Sequence, residues 1–73
     1  MIMHLDYAFE FDGKRYEAVG IDVGDTDDIE REKKDIKSNK IAAICHEFDL
    51  TIDEYEEQAE KFKNVKFDYI ELY

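Results

Sequence analysis

Proline and tryptophan are absent from this chain of 73 residues, cysteine occurs once and glycine only three times. Each scarcity excludes something. A single cysteine cannot close an intramolecular disulfide, which excludes a cystine-stapled scaffold. Collagen-like and proline-rich linker architectures fall away with the missing proline. Cationic residues are short as well: 10 Lys and Arg face 20 Asp and Glu, a formal net charge of −10, and that balance opposes direct binding of nucleic acid through a basic face. No apolar run approaches the ~18 residues of a membrane span. The N-terminal MIMHLDYAFEF has neither the basic start nor the apolar run of a signal peptide. A single small acidic domain, residues 1–73, is therefore expected in the cytoplasm, without membrane contact.

What is present is aromatic and β-branched. Five Phe and five Tyr within a 44% hydrophobic composition supply large buried surfaces that disordered chains lack. The margin is still thin, because a domain of this size buries only about 60% of its unfolded surface. Self-repulsion among ten uncompensated charges erodes it further. A partner would relieve both problems.

Residues 2–23 read as a β-hairpin turning at Asp12-Gly13, since both positions of the favoured two-residue turn need φ > 0. That register puts Leu5, Tyr7, Phe9, Phe11 and Tyr16 on one face. The other face is charged near the turn and becomes apolar at Ile2, Val19, Ile21 and Val23. Gly20 marks a candidate bulge that would shift the register beyond it. The connection DVGDTDD offers helix caps at Asp25, Thr26 or Asp27. A helix is expected over about 27–48, with i,i+4 pairs Arg31–Asp35 and Glu30–Lys34. Its apolar anchors Ile29 and Ile36 are rotated by about a quarter turn from Ile41, Ile44, Cys45 and Phe48; a break near Ser38-Asn39 would reconcile them.

Thr51 with Glu54 forms a capping box, and Leu50 with Tyr55 a hydrophobic staple. The helix that follows, Ile52 to about Lys63, carries Ile52, Tyr55, Ala59 and Phe62 on one stripe. Residues 65–73 read as a last strand with Val65, Phe67, Tyr69 and Tyr73 on one face and Ile70 and Leu72 on the other. The expected fold is α+β, in the order β-β-α-α-β, with helices on one face of a three-stranded, mainly antiparallel sheet. The second sheet face would then expose Val19, Ile21, Val23, Ile70 and Leu72, a candidate oligomer interface.

Motifs for chemistry are sparse. The acids of residues 22–32 lack the spacing and sixth-position glycine of a calcium loop. Adjacent Cys45 and His46 diverge by about 100° on a helix, and no spaced pair completes a metal site. Phosphate loops, H-E-x-x-H and G-x-S-x-G are all missing. Neither a catalytic residue nor a metal or cofactor is expected, and the chain reads as a non-enzyme.

Charge distribution is more informative. Residues 47–60 hold seven acids and no base, and residues 22–32 hold six acids and one Arg. Between them Arg31, Lys33, Lys34, Lys37 and Lys40 form a basic block. The stretch IAAICHEFDLTIDEYEEQAE resembles a helix-turn-helix in outline, but its second helix presents carboxylates that would repel phosphate. Carboxylates at helical spacing instead form a ridge about 5–6 Å in pitch, comparable with a phosphate track. In size and acidity the chain resembles the small phage-encoded inhibitors of host defence, anti-CRISPR and anti-restriction proteins among them. That resemblance implies a DNA-mimicking inhibitor or regulator of a larger protein partner with a basic surface. The expected anionic face is Asp53, Glu54, Glu56, Glu57 and Glu60, with Asp25, Asp27 and Asp28 as a second cluster. The alternative is a homo-oligomeric structural or adaptor domain, a homodimer in its simplest form.

Overall fold

The hairpin forms where Asp12-Gly13 demands it. In the computed structural model, which describes all 73 residues, β1 (Ile2–Phe11) and β2 (Lys14–Asp25) are joined by those two residues, both at positive φ (53° and 78°), the type I′ geometry whose twist matches the strands. Phe9 faces Tyr16 and Tyr7 faces Ala18 as expected. The sheet is closed by β3 (Lys66–Leu72), antiparallel to β1, so that β1 is the central strand of the order β2-β1-β3. The α+β architecture and element order are those read from the sequence.

Three extra residues then decide which side chains enter the core. Between the pairs Tyr7–Ala18 and Leu5–Ile21 the β2 strand carries one residue more than β1, at Gly20, whose φ of 68° suits glycine. A second irregularity follows between Met3 and His4. On β3 the pairs Phe9–Phe67 and Ala8–Tyr69 leave Asp68 as an extra residue. Each bulge inverts the alternation beyond it. Ile21 thus lies opposite Leu5, Ile70 opposite Tyr7 and Leu72 opposite Leu5, on the same side as the core. The expected single face of Val65, Phe67, Tyr69 and Tyr73 is corrected accordingly: Phe67 points inward, whereas Tyr69 pairs with Ala8 on the opposite side.

The helical layer is divided more finely than its sequence suggests. Asp28 caps α1 (Ile29–Lys34), accepting from the Arg31 amide, and Asp35 ends it. Asp35 also begins α2 (Ile36–Phe48): its Oδ1 accepts from the Ser38 amide at 3.2 Å and its Oδ2 from the Ser38 hydroxyl at 2.9 Å. The break therefore falls three residues before Ser38-Asn39, and the carboxylate expected to pair with Arg31 serves as a cap instead. Asn39 is buried there, its amide donating to the Glu32 carbonyl and tying α1 to α2. Ile36 is no anchor, lying about half exposed.

At the end of α2, Asp49 adopts the left-handed conformation (φ 53°), with the Leu50 and Asp49 amides donating back to Cys45 and His46, a Schellman closure in which aspartate substitutes for the usual glycine. The Thr51–Glu54 capping box starts α3 (Ile52–Glu57) as expected. That helix ends at Glu57, and a 3-10 turn, Ala59–Phe62, completes the run that was expected to stay helical to Lys63.

Only nine residues are buried, and seven of them (Leu5, Tyr7, Phe9, Ala43, Ile44, Phe62 and Leu72) form one core between the sheet and α2. Aromatic rings extend it. Phe48 sits 5.1 Å from Tyr16 and 5.5 Å from Phe62 between ring centroids, and Tyr55 stacks on Phe62 at 5.7 Å, distances at which aromatic pairs add stabilisation beyond area burial. No helix is long and apolar enough to cross a membrane.

Candidate interaction surfaces

Several of the eight carboxylates expected to form an anionic face already have local duties. The Glu54 carboxylate accepts from the Thr51 amide at 2.9 Å, and Asp28 caps α1. Glu60 pairs with Lys63 at 3.0 Å. Asp25 accepts from the Met1 ammonium at 2.7 Å, a contact that holds its carboxyl below the usual range. The remaining four, Asp27, Asp53, Glu56 and Glu57, are exposed and have no hydrogen-bond or ion-pair partner within the chain. Asp53, Glu56 and Glu57 stand at i, i+3 and i+4 on α3, where like charges repel by about 0.2–0.5 kcal/mol per pair. No base on that helix offsets them.

The five residues expected to form an apolar interface do not share a surface. Leu72 is a core residue at 5% exposure, and Ile21, Val23 and Ile70 are packed against the core. Val19 alone stands free, 81% exposed. The physical reason is the Gly20 and Asp68 bulges, which turn Ile21, Ile70 and Leu72 inward. The homo-oligomeric alternative rested on a patch that these residues do not form.

What occupies the uncovered face is polar and aromatic. Asp6 lies at its middle, its Oδ1 accepting from the Gly20 amide at 2.7 Å and from the Tyr73 hydroxyl at 2.9 Å. This carboxylate therefore pins the bulge and the last residue of the chain together. Tyr73 stacks on His4 at 5.7 Å between centroids, and its backbone exchanges both hydrogen bonds with that residue. The Tyr69 hydroxyl donates to Glu71 at 2.6 Å. Both phenols are pushed up by donating to these carboxylates. Arg15 spans the sheet, its Nε donating to Glu17 at 3.3 Å and its terminal nitrogen to Asp68, the extra residue of β3. Those two bonds raise its pKa further.

A third grouping went unseen in the sequence. The Tyr7 hydroxyl donates to Glu47 Oε1 at 2.7 Å and lies 3.2 Å from His46 Nδ1. Burial first, then the hydrogen bond and charge of Glu47, push the Tyr7 phenol well above its ordinary value. The group is a neutral donor that anchors the end of α2 to the central strand. Residues 39 and 40 positions apart meet only through tertiary packing, so no local spacing signals the cluster. Cys45 is likewise pushed up by burial, which keeps it a thiol rather than a nucleophilic thiolate. No three His, Cys, Asp or Glu side chains converge in a metal-binding arrangement.

Comparison of the chain with protein-family models, with curated proteins and with solved structures found no match. The functional reading therefore rests on the surfaces themselves.

Proposed function

We propose that this chain is a non-enzymatic interaction protein that binds a larger protein through that partner's basic, nucleic-acid-binding surface and so inhibits or regulates it. The observation that carries the reading is the set of exposed, unpartnered carboxylates: Asp53, Glu56 and Glu57 on α3, with Asp27 at the entry to α1. A small domain with few buried residues gains nothing in stability from three adjacent like charges on one short helix. Neutralisation by a cationic partner turns that cost into binding free energy and accelerates encounter. Function as a DNA mimic, in the manner of small phage-encoded inhibitors such as anti-CRISPR proteins, fits this chemistry. Glu54, Glu60, Asp25 and Asp28 contribute to the field while serving their local bonds.

Affinity capture from the native host tests the reading. The wild-type chain is expected to retain a nucleic-acid-processing protein that the doubly reversed variant Glu56→Lys/Glu57→Lys releases. Equal capture by both chains would overturn it.

A further inference from the structure

The helical layer covers one side of the sheet and leaves the other open. Along the open side the strand register sets residues in rows. Glu17, Ala8 and Tyr69 form one row; Asp6 and Glu71 lie in the next, with Val19 beside the Gly20 bulge. Ala8 is the shortest side chain of its row and lies almost flush with the sheet, 7% exposed. Between its taller neighbours runs a shallow open trough of about 520 Å³, walled by Val19 and Tyr69 and edged by Asp6, Glu17 and Arg15. Val19 is 81% exposed and Tyr69 50%.

We infer that this trough seats an arginine side chain on an extended segment of a basic partner, with the aliphatic stem on Ala8 and Val19 and the guanidinium against the Tyr69 ring and the flanking carboxylates. The inference rests on the reading of this chain as a binder of basic protein surfaces, and adds to the carboxylates of α3 a second point of contact, on the open sheet face, together with the kind of cation it takes.

Three observations favour that occupant. Charge complementarity comes first: Asp6 and Glu17 edge the trough, and the open face as a whole carries Asp6, Glu10, Glu17, Asp68 and Glu71 against only two cations, Arg15 and Lys66. A second copy of the chain would set these carboxylates against their equals, and phosphate would be repelled outright. The protein's own Arg15 supplies the second. It lies across this face between Glu17 and Asp68, so a guanidinium is already held here by carboxylates of the open face, and Asp6 and Glu71 remain beside the trough for an incoming one. The third is the half-exposed tyrosine ring beside an exposed apolar wall, which binds a weakly hydrated guanidinium more readily than a compact, strongly hydrated ammonium. Alternate residues of an extended segment are about 6.8 Å apart, the same repeat as the rows of the sheet.

Titration of the isotope-labelled full chain with octa-arginine and with octa-lysine, followed amide by amide by NMR, tests the inference. Octa-arginine is expected to shift the amides of Ala8, Val19 and Tyr69 and to bind about threefold or more tightly than octa-lysine. Val19→Lys, at a largely exposed position, and Tyr69→Ser are each expected to weaken octa-arginine by about tenfold while the spectrum stays dispersed. Glu56→Lys/Glu57→Lys is expected to leave the trough shifts in place. Shifts confined to residues 53–60 would overturn the trough while leaving the basic-partner reading standing. Absence of saturable shifts with either peptide would overturn both. Trough shifts of equal strength with both peptides would overturn the selection of guanidinium.

Discussion

The same three strands present two unlike faces. Towards the helices, Leu5, Tyr7 and Phe9 are shielded almost completely from water; the residue between the first two, Asp6, turns the other way and binds the Tyr73 hydroxyl and the Gly20 amide. The aliphatic side chains beyond the bulges at Gly20 and Asp68, Ile21, Ile70 and Leu72, go to the covered face. The open face keeps carboxylates, tyrosines, Arg15, Lys66 and the small apolar pair Ala8 and Val19. Folding free energy and surface chemistry are thereby separated by the period of two, and each face can be altered with little effect on the other.

The largest effect is expected where the covered face is cut. Phe9 is fully buried and its ring centroid lies within 6.2 Å of four others, those of Tyr7, Tyr16, Phe48 and Phe67. Phe9→Ala is expected to cost about 3–5 kcal/mol, most of what a domain this small possesses, so circular dichroism and urea melts should show a largely unfolded chain. Unhooking the helical layer is the next largest. Asp35→Ala removes the carboxylate that caps α2 and is expected to cost about 1–2 kcal/mol, with the Ser38 amide losing protection in hydrogen exchange.

Tyr7→Phe comes third, at about 1 kcal/mol near neutral pH, from the lost hydrogen bond to Glu47. Its pH dependence carries a sign. The Tyr7 phenol is raised above 10.0 in the folded chain, so above that pH the unfolded chain gives up its proton first. The stabilising contribution is present below pH 10.0 and declines as pH rises through the folded value. The stability gap between wild type and Tyr7→Phe should therefore narrow in alkaline urea melts; a gap that widens would refute the assignment. The smallest effect belongs to the open face: Tyr69→Ser should change stability by less than about 0.5 kcal/mol, because the ring packs on no part of the core.

The sequence disclosed the devices that act within a few residues. Asp12-Gly13 and the Thr51–Glu54 box form as their chemistry requires, and the stripe from Leu5 to Phe11 is the core face of the central strand. Bulges were harder to read. Gly20 was recognisable as a candidate, but the direction of Ile21 beyond it depends on which pairing buries more apolar surface, a tertiary competition. Asp68 gave no local sign at all, and its extra residue moved Ile70 and Leu72 from an expected outer face into the core. The helix break was expected from the rotated apolar stripes, yet it settled on Asp35 because a carboxylate with Ser38 three residues on makes a better cap than Ser38-Asn39. Of the anionic residues, Glu54 is set apart from Glu56 and Glu57 by a capping box legible in the sequence, whereas the bonds of Asp25, Asp28 and Glu60 to Met1, Arg31 and Lys63 appear only in the fold.

Binding driven by these charges must respond to salt, and that response tests the central claim most directly. With the captured partner, or with octa-arginine in its place, affinity measured by titration calorimetry from about 50 to about 300 mM NaCl is expected to fall by about tenfold or more as screening shortens the reach of the carboxylates. An affinity unchanged across that range would contradict the account.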